Sequence, residues 1–253
     1  EPDGPVLGGR LRLRGSAASL YRQDFVGGPI LRPETLPTGS TVGLPGVDSR
    51  RVSAQAEWRR AMISPLGVRW EPFVDLRADI YSIEDLPPML GLDEEPIGRG
   101  RATAGVDVSY PLIRRFGDGD LIIEPMAQLA VSTDPELDPR IPNEDSQTLE
   151  LDESSLFRTD RFPGYDLLEG GLRLTAGARA TLRWGQGRQA SLFVGRSLRD
   201  AAEPAFLTPT PDDPARLYDP TGLASDTSDW VVQGDFSPSH RIRGWGHATI
   251  DSA

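Results

Sequence analysis

The chain has no cysteine and no lysine: all 27 of its basic residues are arginine. Without cysteine there is no disulfide framework, thiol nucleophile or thiolate zinc site within these 253 residues. Without lysine there is no P-loop, no Schiff base and no protein-kinase centre. Only two histidines are present, His240 and His247, and neither belongs to a His-Glu-x-x-His arrangement. Gly-x-Ser-x-Gly is missing, so nucleophilic hydrolysis has no local support. Long apolar runs are missing too. The best, Leu121 to Val131, is interrupted by Glu124, Pro125 and Gln128, and falls short of the ~18 residues of a transmembrane helix. That excludes helical spans and leaves strands open. A net charge of −11 without any basic run argues against a nucleic-acid surface.

What is present is alternation. Leu172, Leu174, Ala176, Ala178, Ala180, Leu182 and Trp184 fall on one face, and Arg173, Thr175, Arg179, Thr181 and Arg183 on the other. Period two over such a length is a long strand. The pattern recurs at Leu11 to Tyr21, Val52 to Trp58, Val68 to Ile80, Ala102 to Tyr110, Leu121 to Val131, Ala190 to Leu198, Trp230 to Phe236 and Ile242 to Ile250. In the Val68 segment Arg69, Glu71, Asp75, Arg77 and Asp79 share the polar face. This predicts about nine strands and no amphipathic helix.

Turn residues at Ser64-Pro65-Leu66-Gly67, Phe116-Gly117-Asp118-Gly119, Gly185-Gln186-Gly187 and Ser237-Pro238-Ser239 mark tight connections. Between them lie long ones, roughly 22–51, 82–99, 133–167 and 199–227. Short turns alternating with long loops, on strands longer than the ~5–6 residues usual in soluble sheets, are the layout of an outer-membrane barrel. The acidity is concentrated in the long connections, whereas the strands carry arginine. Arginine facing lipid costs ~2–4 kcal/mol at the midplane, so Arg69, Arg77, Arg173, Arg179 and Arg183 are expected to line a lumen. The expected fold class is therefore all-β, a partial antiparallel transmembrane β-barrel. A soluble all-β protein with its apolar face buried remains the alternative, because alternation describes both.

The loop 133–167 is densely acidic, with Asp134, Glu136, Asp138, Glu144, Asp145, Glu150, Asp152 and Glu153. It lacks the ligand spacing of a calcium loop, and a solvated acidic loop is the expectation. No catalytic residue, metal ligand or cofactor site is assigned.

Within and after that loop stand Ile141-Pro142-Asn143-Glu144-Asp145-Ser146, then Leu156-Phe157, then Arg161-Phe162-Pro163-Gly164-Tyr165-Asp166 and Glu169-Gly170-Gly171. This string resembles the LptD family, the lipopolysaccharide-assembly barrels of the Gram-negative outer membrane, in its alphaproteobacterial style. Ile123-Glu124-Pro125 before it and Ser191 to Arg196 after it are similar to the family's flanking strands, and weaker similarity covers Trp58 to Tyr81. Two positions depart from the family's usual pattern: Leu167 stands where arginine is usual, and Arg196 where glutamine is.

The resemblance implies lipopolysaccharide transport into the outer leaflet of the cell outer membrane. It implies a lipoprotein plug of the LptE type in the lumen, and a periplasmic bridge protein that delivers substrate through an N-terminal jelly-roll. Nine strands are few for such a barrel, so the chain is expected to be its central portion. A porin-like or nutrient-transport barrel is the alternative within the membrane class, and a carbohydrate-active protein the alternative outside it. The motif residues Ile141, Pro142, Asn143, Asp145, Ser146, Leu156, Phe157, Arg161, Gly164, Asp166 and Gly171 suit an ordered loop: Pro142 stiffens its entry, Asn143, Asp145 and Ser146 can bond their own backbone, and Leu156, Phe157, Phe162 and Tyr165 supply an apolar inner side.

Overall fold

A computed structural model describes residues 4–21, 47–86, 93–134, 138, 140–146, 149–209, 217–239 and 241–251. Its strands are β1 (Arg10–Leu20), β2 (Asp48–Arg59), β3 (Met62–Ile63), β4 (Arg69–Glu84), β5 (Ile97–Ser109), β6 (Leu112–Phe116) and β7 (Gly119–Ser132). There follow β8 (Gly171–Trp184), β9 (Arg188–Arg199), β10 (Thr208–Pro209), β11 (Leu217–Tyr218), β12 (Trp230–Ser239) and β13 (Ile242–Ile250). All nine alternating segments are strands of one antiparallel meander, in the order β1-β2-β4-β5-β7-β8-β9-β12-β13. Short β3 and β6 extend β2 and β5 beyond breaks at Arg60-Ala61 and Tyr110-Pro111, where proline withholds a ladder donor. The sheet is open, with β1 and β13 as its edges among the described residues.

Two local expectations are corrected. Ser237-Pro238-Ser239 belongs to β12 rather than to a turn, and the register slips between Phe236 and Ser239, a bulge that accommodates the proline. The long loops also hold short helical turns: α1 (Glu153–Leu156) and a 3-10 turn at Pro204–Phe206. Asp152 caps α1, accepting from the Ser155 backbone N–H at 2.7 Å while its own N–H reaches Ser155 Oγ at 2.9 Å. This reciprocal capping stabilises a turn too short to show helical periodicity. His240 and the segment 22–46 lie outside the described residues.

Burial on the sheet is reversed relative to a soluble protein. On β4, Leu76 and Ile80 are 50% and 62% exposed, whereas Asp75 and Asp79, the residue before each, are 0% and 1% exposed. Arg77, Arg99, Arg101, Thr103, Gln128, Arg173, Thr175 and Ser197 are buried on the same polar side, and Val52, Val131, Leu172, Leu174, Leu192 and Leu198 face outward. A soluble sandwich would bury the second set and solvate the first. An outward apolar band over an inward polar face is the arrangement of a membrane barrel wall. The described residues contain no helix long and apolar enough to cross a membrane.

Candidate functional site

What covers the polar face is the loop between β7 and β8. Its apolar side forms a core of Leu151, Leu156 and Phe162 with Phe193 of β9, Val231 of β12, and Phe206, Leu223 and Ala224 of the next long loop. Phe162 stacks on Phe206 with centroids 4.4 Å apart. Leu156 sits over Gly195 of β9, whose missing side chain leaves room for it: a Cβ there would lie 3.1 Å from Leu156 Cδ2. Ile141 joins a second core with Val47, Tyr81, Ile83 and Ile97.

The polar side of the loop makes two charge clusters. In the first, Glu169 is fully buried and meets Arg161 at 2.9 Å, Arg173 at 2.9 Å and Arg199 at 3.1 Å. Arg161 also donates to Thr175 Oγ1 at 3.1 Å and Ser197 Oγ at 2.6 Å. Burial opposes ionisation of Glu169, but the three guanidiniums outweigh it and hold the carboxyl below its usual range. A buried carboxylate is tolerable only with such pairing.

The second cluster gathers around Asp145, Asp166 and Tyr165. Asp166 accepts from Arg51 Nη1 at 2.6 Å, Tyr81 Oη at 3.1 Å, and the backbone N–H groups of Glu144 at 2.7 Å and Asp145 at 3.1 Å. Asp145 accepts from the N–H groups of Tyr165 at 2.8 Å and Asp166 at 3.0 Å, and from Arg51 at 2.9 Å. The Tyr165 carbonyl takes donors from Arg77, Arg99 and Tyr81, and its ring lies under the guanidiniums of Arg51 and Arg77 at 4.6 and 4.5 Å. Gly164 is required here, because a Cβ would collide with the Asp145 carboxylate. Asp160 pairs with Arg101 at 2.6 Å.

Burial, reinforced by the neighbouring Asp145 charge, pushes Asp166 up to about 6. For Asp145 burial acts the same way but is outweighed by the two backbone N–H donors, which hold it low. Burial also raises Asp160 to about 6, against the pull of Arg101. A folded-state value above the unfolded one means stability that is present at low pH and is lost as pH rises through the folded value. The thermal midpoint of the full-length protein should therefore drop by a few degrees between pH 5 and pH 7.5, and Asp160→Asn should flatten that slope. An identical slope in the variant would refute the assignment.

The motif residues thus come together on one face. Ser146 donates its N–H to Asn143 Oδ1 at 2.9 Å, Pro142 is buried beside Ile141, Phe157 packs edge-on against Phe193, and Gly171 opens β8 with φ +80°. The five strand arginines divide. Arg77 and Arg173 are buried in the clusters, and Arg179 pairs with Glu153 of α1. Arg69 is more than half exposed, 3.8 Å from Glu124, and Arg183 is exposed. Strand periodicity missed Arg51, Arg99, Arg101 and Arg199, because β2 and β5 begin before Val52 and Ala102, and β9 runs one residue past Leu198. Continuing the alternation outward would have found them.

The expectation of a solvated acidic loop is corrected in part: Asp138 pairs with Arg140, Asp145 with Arg51, Asp152 caps α1 and Glu153 pairs with Arg179, whereas Asp134 and Glu150 are exposed. The two departures from the family string are accommodated. Leu167 packs against the loop core, and Arg196 lies 4.8 Å over the Trp230 ring while donating to the Ser228 carbonyl at 2.8 Å.

No curated protein matches the chain. The family model described as LPS transport system D, LptD, matches residues 8–245. Since that span takes in the sheet as far as the first half of β13, and the loop that covers it, the chain belongs to the LptD family, whose members serve lipopolysaccharide transport and outer-membrane assembly.

Proposed function

We propose that this chain forms part of a barrel wall in the cell outer membrane, non-enzymatic, past which lipopolysaccharide is delivered to the outer leaflet, and that loop 141–170 shapes the opening of the lumen. The reversed burial carries this reading: a polar face lined by arginine and aspartate suits passage of phosphorylated sugars, while the outward apolar face suits lipid. Residues Arg69, Arg77, Arg173, Arg179 and Arg183 line that lumen in this reading. The partners are those of the family: an LptE-type lipoprotein plug, and a periplasmic bridge protein acting through a jelly-roll of the full protein.

Deleting residues 141–166 from the full protein should raise permeability to bulky antibiotics or alter surface lipopolysaccharide. Wild-type values of both would sink the proposal. Ion conductance separates it from a porin-like barrel, since an open pore passes ions steadily and a lumen filled by its own loop passes few.

A further inference from the structure

Four guanidiniums converge from three neighbouring strands: Arg51 of β2, Arg77 of β4, and Arg99 and Arg101 of β5. The sheet itself answers them with only two carboxylates. Asp79 pairs with Arg77 and Arg99, both at 3.0 Å, and Asp75 pairs with Arg101 at 3.2 Å. Among the described residues, every other carboxylate paired with them comes from the loop: Asp160 to Arg101 and Arg77, and Asp145 and Asp166 to Arg51. Stripped of the loop, this part of the face is a cationic cradle.

The loop fills the cradle imperfectly. The acceptor at its centre is the neutral Tyr165 carbonyl, on which Arg77, Arg99 and Tyr81 all converge. The Nε atoms of Arg51 and Arg101 are buried with no acceptor among the described residues. Asp160, raised to about 6 by burial, is incompletely compensated by its arginines. A phosphate group brings several charged acceptor oxygens, and guanidinium forks bind those in pairs, more strongly than they bind a neutral carbonyl.

We propose that Arg51, Arg77, Arg99 and Arg101 form a phosphomonoester-binding cradle, and that Asp145 with segment 164–166 is its built-in competitor, displaced when a phosphorylated sugar enters. The idea rests on the reading of this face as a path for lipopolysaccharide. The Glu169 cluster and the Leu156 core hold the rest of the loop in place, so displacement opens the Asp145–Asp166 side alone. Incoming phosphate thus exchanges one set of arginine partners for another, and empty transporter keeps its path closed.

Hydrogen exchange on the full-length protein reads this directly, through the amides of Glu144, Asp145, Tyr165 and Asp166, which are held by carboxylates. Saturating glucose 6-phosphate should speed their exchange about tenfold, and glucose should not. Inorganic phosphate, and vesicles carrying a phosphorylated glycolipid, distinguish the source. An equal response to inorganic phosphate assigns the cradle to the phosphate group alone, and a response that needs the sugar or glycolipid assigns it to a headgroup. Gly164→Ala, which presses on the Asp145 carboxylate and carbonyl, should lower the half-saturating concentration about tenfold. The Arg99→Gln/Arg101→Gln variant should lose the response.

No acceleration by any phosphate compound overturns the proposal, as does an equal effect of glucose. If the arginine variant fails to fold, Gly164→Ala decides: an unchanged half-saturation overturns it. The export reading fails separately. Opening by glucose 6-phosphate combined with wild-type permeability and surface lipopolysaccharide after loop deletion removes that reading and leaves the cradle.

Discussion

Glu169→Ala should detach the β7–β8 loop from the sheet and lower the stability of the docked form by about 3–5 kcal/mol, the cost of leaving a buried charge without its partner. The carboxylate is the common counter-ion of Arg161, Arg173 and Arg199, whose side chains are 0%, 1% and 4% exposed. Remove it and three guanidiniums share a desolvated space in which Arg199 keeps a 3.8 Å pairing with Glu203 and Arg161 and Arg173 lose theirs with Glu169. Undocking is the only relief, because solvent then reaches all three. Trypsin reports this, since the bond after Arg161 is buried in the wild type and should become cleavable. Glu169→Gln keeps the shape and an acceptor oxygen, so it should lose less. Equal resistance to trypsin and an equal thermal midpoint in Glu169→Ala would show that the cluster does not hold the loop.

Leu156→Ala should weaken the same docking by about 2–5 kcal/mol, the usual cost of truncating a buried leucine. Leu156 is fully buried and lies against the β9 backbone at Gly195, where no side chain is present to fill the cavity. Unlike Glu169→Ala, it leaves every charge paired, and its midpoint shift should therefore be insensitive to salt. The two sites support one docked unit. Once the loop has left the sheet the second substitution has little left to remove, so the double variant should lose clearly less than the sum of the singles. Strict additivity would mean that the apolar core and the charge cluster hold separate pieces of the loop.

These two residues also show what was legible beforehand. Glu169 stands in the family string, yet nothing near it in sequence announces that it neutralises arginines 4, 8 and 30 positions away. Leu156 was expected on the apolar side of an ordered loop, and it is there, but its partners on β9 and β12 lie in strands that any alternating pattern would describe equally well. The same holds for Asp166, whose carboxylate is bonded to Arg51 across 115 positions. The acidic loop looked solvated because charge density along a sequence carries no information about which distant cations it meets.

The sequence by itself determined the nine strands, their order as a meander of short and long connections, and the two faces of each strand. Side-chain alternation and turn chemistry are properties of adjacent residues, so local physics is enough to write them. It also carried a string specific enough to indicate the family. Only the tertiary structure decided which face is inside, since an apolar face is equally content against a second sheet or against lipid. It alone showed that Asp145, Glu153, Asp160 and Asp166 of the acidic loop are counter-charges of the arginine face, because that match joins residues far apart in the chain and depends on burial that the sequence does not display.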